Sequence, residues 1–284
     1  MKTVFLIITA FCLHPFLTNA KSTPDLKADS AAIIETALNY GDGFYSGDAA
    51  RMEKAISPDL NKVCPMVMPQ TGKTFLIYST GSALIEMSRA KTGFIEEANR
   101  KTAVKVLTIN DNVACARLTS SQFNDYLEMV KADGQWKIVN VLWTFGEDSQ
   151  NRQPQTDFKG DAEKPFVEQA VRDLIQGLYS GDVVMVEKVL HPEFSRATPV
   201  VMPQTGKNII LRDGASGIIE AARAKLGTLD KEKWNIKVNV LDCMDGLAMA
   251  EMVIPTGWNY CQLAKIDGQW KIVNILRKSI KQTR

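Results

Sequence analysis

The chain has 284 residues, of which 45% are hydrophobic and 23% charged. That balance argues against a disordered chain and suits two domains, each long enough to bury its own core. A net charge of +2 with no dense basic block argues against nucleic acid or an anionic membrane as partner.

Residues 1–20 read as a secretory signal. Lys2 supplies the positive start, residues 4–13 (VFLIITAFCL) an apolar run, Pro15 a break, and Thr18-Asn19-Ala20 the small residues before a cleavage site. The run is shorter than the about 20 residues that a membrane span needs. The expected protein is therefore not membrane-spanning, and its location is secreted or periplasmic. Cys12 would leave with the signal. Cys64, Cys115, Cys243 and Cys261 remain, and export permits disulfides. No two of them occupy matching positions in the repeat described next, so buried free thiols are the simpler expectation and the pairing stays open.

The strongest pattern is an internal repeat at an offset of 134 residues. Tyr45-Ser46-Gly47-Asp48 returns as Tyr179-Ser180-Gly181-Asp182. VMPQTGK at 67–73 returns at 201–207, and DGQWKIVN at 133–140 returns at 267–274. The copies align without a gap over 37–142, with roughly 40 identities in about 106 positions. Gene duplication explains this. The polar, proline-containing stretch between them reads as a linker, giving domains at 27–146 and 164–284 joined by 147–163.

Each copy opens on an amphipathic helix; in the second, Ala170, Leu174 and Leu178 recur at helical spacing. Gly47 and Gly181 suit the helix end, and Asp48 and Asp182 suit the N-cap of a short second helix. Ser57-Pro58 and His191-Pro192 stop that helix. VMPQTGK reads as a strand end and a turn, and a third helix is expected near 82–91 and 216–225. A meander follows: strands at 104–109, 113–119, 126–131 and 135–142, with turns at Asp111-Asn112 and Asp133-Gly134. Helices first and an antiparallel sheet afterwards give an α+β class. In the last strand Trp136, Ile138, Asn140 and Leu142 are expected on one face and Val139, Val141 and Trp143 on the other. Both faces are apolar, so one should cover the helices and the other the sister domain, an intramolecular pseudo-dimer.

The order helix, Tyr-x-Gly-Asp, short helix, His191-Pro192-Glu193-Phe194, and a meander ending in Asp-Gly-x-Trp-Lys-Ile-Val resembles the nuclear transport factor 2-like superfamily. Leu190-His191-Pro192-Glu193 and Pro203-Gln204-Thr205-Gly206-Lys207 are closest to its "putative lumazine-binding" subgroup. The resemblance implies two tandem cone-shaped domains, each a curved antiparallel sheet wrapped around helices, with a pocket in the cone.

The superfamily includes isomerases whose base is a carboxylate just before a proline; here that place holds Cys64 and Thr198. No catalytic residue is therefore assigned. Outside the signal the chain has one histidine, His191, so neither a His-rich metal site nor a Cys-His pair is expected, and no cofactor. The candidate ligand-binding residues are Tyr40, Phe44, Tyr45, Asn140, Tyr179 and Asn274. The two asparagines stand among apolar neighbours, where an amide must find a partner. Tyr40 and Phe44 make the first cone the expected place for a small hydrophobic ligand. Three functions stay open: an exported non-catalytic binding or scaffold protein, an enzyme of isomerase, dehydratase or cyclase type, and an interaction module with filled cones. A cone holding a carboxylate would favour the enzyme. The signal reading predicts a mature chain beginning at Lys21. Intact-mass measurement on exported protein checks it, and soluble material retaining Met1 would refute it.

Overall fold

The computed structural model describes residues 26–152 and 158–279; the expected signal at 1–20 lies outside the described residues. The first half runs α1 (Leu26–Ser46), α2 (Ala49–Ala55), β1 (Ile56–Val67), β2 (Thr74–Thr80), α3 (Gly81–Arg89), β3 (Ala103–Asn110), β4 (Val113–Thr119), β5 (Phe123–Ala132) and β6 (Gln135–Phe145). The second repeats the order: α4 (Lys164–Ser180), α5 (Val183–Val189), β7 (Leu190–Val201), β8 (Asn208–Gly214), α6 (Ala215–Arg223), β9 (Lys237–Met244), β10 (Leu247–Ile254), β11 (Gly257–Ile266) and β12 (Gln269–Ser279). Among the described residues no helix is long and apolar enough to cross a membrane, and all four cysteines are free.

Local chemistry explains the joints. Gly47 ends α1 at φ +72°, a left-handed conformation that glycine adopts without strain. Asp48 then accepts from the Ala50 and Arg51 amides, both at 3.0 Å, and starts α2. Asp182 does the same for α5 through the Met185 amide at 3.0 Å. The first helix of each copy is tied to its sheet by a buried acid. Asp29 accepts from Lys131 at 2.7 Å and from the Trp136 indole at 3.1 Å. Its counterpart Glu163 accepts from Lys265 at 3.1 Å and from Trp270 at 2.9 Å. Glu163, the last residue of the expected linker, is thus a buried anchor.

Each half forms one six-stranded sheet, ordered β2-β1-β6-β5-β4-β3 and β8-β7-β12-β11-β10-β9. The sheets are mixed, not purely antiparallel as expected from the meander. β1 lies parallel to β6, with Ile56 opposite Ile138 and Asn61 opposite Asn140. The chain leaves α2 at the end where β6 begins and takes its free edge in the same direction. The jump in register from Ile56 to Asn61 leaves Pro58 outside the ladder, where its missing N–H costs nothing. β2 was not legible as a strand: it is an edge, and Phe75, Ile77 and Tyr78 are all partly exposed.

The expected faces of the last strand are corrected by a β-bulge. Ile138 pairs with Met129 and Asn140 with Glu128, so Val139 is the extra residue; Val273 repeats this between Ile272 and Asn274. Side-chain alternation is re-phased there. Trp136, Ile138 and Val141 pack on the helices, whereas Val139 and Leu142 point out of the cone.

The outer faces of the two sheets pack on each other. Tyr126, Val139 and Leu142 share one buried cluster with Tyr260, Val273 and Leu276. Polar contacts around it cross in pairs, as in an isologous interface. Arg212 donates to the Asp59 carbonyl at 2.6 Å, and Tyr78, at the matching position, donates to the Glu193 carbonyl at 3.3 Å. Asp267 accepts from the Thr74 amide at 2.9 Å and Asp133 from Asn208 at 3.0 Å.

A fully buried pair of matching positions in this interface is unequal in charge: Glu128 in the first copy, Gln262 in the second. Glu128 is fully buried and accepts a side-chain hydrogen bond from Asn140 at 2.6 Å. Burial pushes its carboxyl up to about 8, against the pull of Asn140 and Arg212. The folded chain therefore keeps a proton that the unfolded chain releases above an ordinary carboxyl pKa. Stability should fall as pH rises from about 4.5 to about 8, by at most about 1.4 kcal/mol per unit. Glu128→Gln should match the wild type in thermal unfolding near the acid end of that window and exceed it at the alkaline end. An unchanged pH slope would refute this.

Candidate functional site

The cavities of the two cones are lined by largely matching positions of the repeat. At the same level of each sheet four adjacent strands contribute a belt of side chains. In the first copy the belt is Ser79 on β2, Lys62 on β1, Trp143 on β6 and Asp125 on β5. Ser79 stands opposite Lys62, and Trp143 opposite Asp125. In the second copy it is Asp213 on β8, Arg196 on β7, Arg277 on β12 and Asn259 on β11, with Asp213 opposite Arg196 and Arg277 opposite Asn259.

The first belt is satisfied from within. Lys62 Nζ lies 3.0 Å from Asp125 Oδ1, and the Tyr40 hydroxyl donates to the same oxygen at 3.0 Å. Lys62 also donates to the Tyr40 oxygen. The ammonium sits 4.5 Å from the Trp143 ring centroid, 5.1 Å from Tyr40 and 5.8 Å from Phe123, a cage whose π-faces favour its charge. Burial, then the Asp125 charge, hold the Tyr40 phenol well above its ordinary pKa, so it stays protonated. Tyr45 shares a 2.5 Å hydrogen bond with Ser120, and burial pushes its phenol up to about 12. Phe44, Phe123, Trp143 and Phe145 pack edge to face around them. The free space is about 80 Å³.

The second cone is roomier, about 420 Å³, with walls including Leu174, Ile175, Leu178, Phe194 and Ile218. Leu174 replaces Tyr40, and Asn259 replaces Asp125. Arg196 gives Asp213 two hydrogen bonds, at 3.0 and 2.7 Å. Three buried polar atoms in the lining have no hydrogen-bond partner among the described residues: Tyr179 Oη, Asn259 Nδ2 and Arg277 Nε. Burial and the nearby Arg196 charge lower the Arg277 pKa, and burial raises that of Tyr179.

Of the residues expected to bind ligand, Tyr40, Phe44 and Tyr45 meet in the first cone and Tyr179 lines the second. Asn140 and Asn274 line neither. The bulges at Val139 and Val273 put them between the sheets, where side chains satisfy them. Asn140 donates to Glu128 and accepts from Arg212 at 2.9 Å; Asn274 donates to Gln262 and accepts from Asn61, both at 2.8 Å. Sequence reasoning missed Lys62, Asp125, Arg196, Asn259 and Arg277. The one available signal was the exchange of Trp143 for Arg277 between otherwise similar strands. Burial pushes the Cys64 thiol up to about 12, which removes it as a nucleophile at neutral pH. Among the described residues no group of His, Cys, Asp and Glu side chains is placed to hold a metal ion.

Residues 28–144 and 162–276 each match the family described as "putative lumazine-binding". No curated protein matches the chain. Among solved structures, an NTF2-like protein of unknown function from Silicibacter pomeroyi is 18% identical, with a TM-score of 0.36 over 42% of this chain and 97% of its own. A protein of unknown function with a cystatin-like fold from Nostoc punctiforme is 12% identical, with a TM-score of 0.32 over 43% and 94%. The association domain of C. elegans CaMKII is 12% identical, with a TM-score of 0.30 over 42% and 98%.

The first belt yields a stability prediction. Asp125→Asn leaves the Lys62 ammonium buried without its carboxylate and should cost about 3–5 kcal/mol. Replacing all three partners together (Tyr40→Phe, Lys62→Met, Asp125→Leu) should recover most of that loss, because no unpaired charge remains. Denaturant unfolding of the three proteins compares them; a triple variant weaker than Asp125→Asn would refute the prediction.

Proposed function

Because the chain belongs to the family described as "putative lumazine-binding", through both of its halves, we propose that it is a small-molecule-binding protein whose ligand enters the second cone. The convergence of Tyr179, Asn259 and Arg277 on one apolar-walled cavity, each with one buried polar atom that has no hydrogen-bond partner among the described residues, carries this reading. An unpaired buried polar group costs about 1–3 kcal/mol, and a ligand offering acceptors removes three such costs at once. The family description names lumazine, a bicyclic heteroaromatic with ring carbonyls, which is an acceptor-bearing molecule of this kind. The expectation from the sequence that the first cone takes the ligand fits the geometry less well, since its polar groups already satisfy one another.

The same proposal holds the protein to be exported and non-catalytic, with functional units at 27–146 and 164–284 working as one intramolecular pseudo-dimer. The signal-like N-terminus supports export, and the shared interdomain cluster supports a single unit. In the second cone the belt carboxylate, Asp213, is engaged by Arg196, which leaves no free base there. One observation favours an enzyme instead: Asp125 is a carboxylate inside the first cone, beside a phenol and an ammonium. That site would act on a substrate small enough for its confined space, and Asp125→Asn would abolish turnover without altering binding in the second cone.

The test is a thermal-shift screen of small molecules, lumazine included, against the wild type and Gly217→Phe. Gly217 lies on α6 in the lining, and a Cβ there meets nothing within 4 Å. Exchanging glycine inside a helix is favourable by a few tenths of a kcal/mol or more, so the variant should fold as well as the wild type while its ring fills the cone. A ligand at a hundred times its Kd stabilises by about 2.7 kcal/mol. Hits should shift the wild type and not the variant; hits that shift both equally would overturn the assignment to this cone.

A further inference from the structure

The two belts differ in one respect that specifies the ligand's head group. The first contains one cation and one anion, Lys62 and Asp125, paired at 3.0 Å. The second contains two cations and one anion. Asp213 pairs with Arg196 at 2.7 Å, leaving Arg277 with no ion pair among the described residues. Arg277 stands directly across from Asn259, at the position where the first copy has its carboxylate. The second site thus sits at the same place in its sheet, with a guanidinium where the first has Trp143 and an amide where the first has its acid.

The unpartnered atoms agree in kind. Arg277 Nε and Asn259 Nδ2 are donors only, and the Tyr179 hydroxyl can donate. Asn259 is 4% exposed and Tyr179 7%, so water does not serve their polar ends freely. Two guanidiniums share one carboxylate, and the net charge of the lining is that of a single cation. A guanidinium binds a carboxylate through parallel N–H groups, and charge-assisted bonds of this kind are about twice as strong as neutral ones. Apart from Thr256, the remaining side chains of the wall, among them Leu174, Leu178 and Ile218, are apolar.

We infer that the second cone binds a small amphipathic monocarboxylate, its head on Arg277, Asn259 and Tyr179 and its apolar body along the α4 and α6 side of the cavity. The inference rests on the reading of this cone as the ligand site and adds the charge and polarity of what it takes. The ligand supplies in trans the carboxylate that Asp125 supplies in cis in the first cone. It also relieves the two conditions that oppose charge on Arg277, burial and the neighbouring Arg196. A dianion would exceed the single positive charge available.

Calorimetric titration of the full chain tests this with octanoate, 3-phenylpropionate, 1-octanol, octylamine and lumazine. At least one carboxylate should bind roughly ten- to a hundredfold more tightly than 1-octanol, as expected for a hydrogen-bonded charge, and octylamine should not bind. Arg277→Met should erase the advantage of the carboxylate and leave 1-octanol unchanged. Its thermal midpoint without ligand should be equal to or above that of the wild type, since a half-buried cation with no ion pair among the described residues is removed. A structural role for Arg277 would instead lower that midpoint and weaken all probes alike. Equal affinity for octanoate and 1-octanol, or tighter binding of lumazine than of either carboxylate, overturns the inference and leaves the second cone a ligand site. If no carboxylate binds, the inference fails; if the neutral probes also fail, so does the reading on which it rests.

Discussion

A sheet with apolar side chains on both faces cannot stand in water, and each half of this chain contains one. The helices cover the inner face. Among the described residues nothing within the same half covers the outer one, where Tyr126, Val139, Leu142 and their counterparts lie. Each sheet therefore supplies what the other lacks, and burial worth about 25 cal/mol per Å² of apolar surface acts between segments already tethered to one another. The bulge in the last strand makes this arrangement work. By inserting Val139 and Val273, it lets one continuous strand present large apolar residues to a cone at both of its ends and to the neighbouring sheet in its middle.

With the outer faces committed to each other, the insides of the cones are free to differ, and they do. The duplicated belts form a natural comparison in which strand order, pairing and depth are held fixed while the chemistry changes. An ammonium caged by aromatic rings and matched by a carboxylate leaves little space and, among the described residues of the lining, no buried polar atom without a partner. A leucine, two arginines and an amide at related positions leave a wider cavity and donors without acceptors. The fold does not depend on the Tyr40–Lys62–Asp125 cluster, because the second copy adopts the same fold without it.

The repeat, the helix caps and the meander were legible because each depends on short-range spacing: Gly47 and Asp48 act on their own neighbours, and Asp133-Gly134 closes its own hairpin. The double-sided apolar strand was legible as composition, but not the side on which each residue falls. A single inserted residue shifts every later one to the opposite face, and nothing in the run Ile138-Val139-Asn140-Val141 marks the insertion. That is why Asn140 and Asn274 were expected in the cones and are found between the sheets. The belts were harder still. Asp125 and Lys62 are 63 residues apart and meet only through the order and register of the strands between them. The parallel edge formed by β1, which brings Lys62 there, cannot be inferred from alternation alone.

The unequal pair Glu128 and Gln262 has a further consequence. Were the chain cut between its halves, two first halves meeting face to face would bury two carboxyl groups in one interface, and two second halves would bury none. Asn140 and Asn274 each hold a side-chain partner within their own half, Glu128 and Gln262, so these two bonds do not depend on which half lies opposite. A first half paired with its own copy would hold two carboxyls that resist losing their protons, so that association should weaken as pH rises, whereas a second half paired with its own copy carries no such dependence at this position.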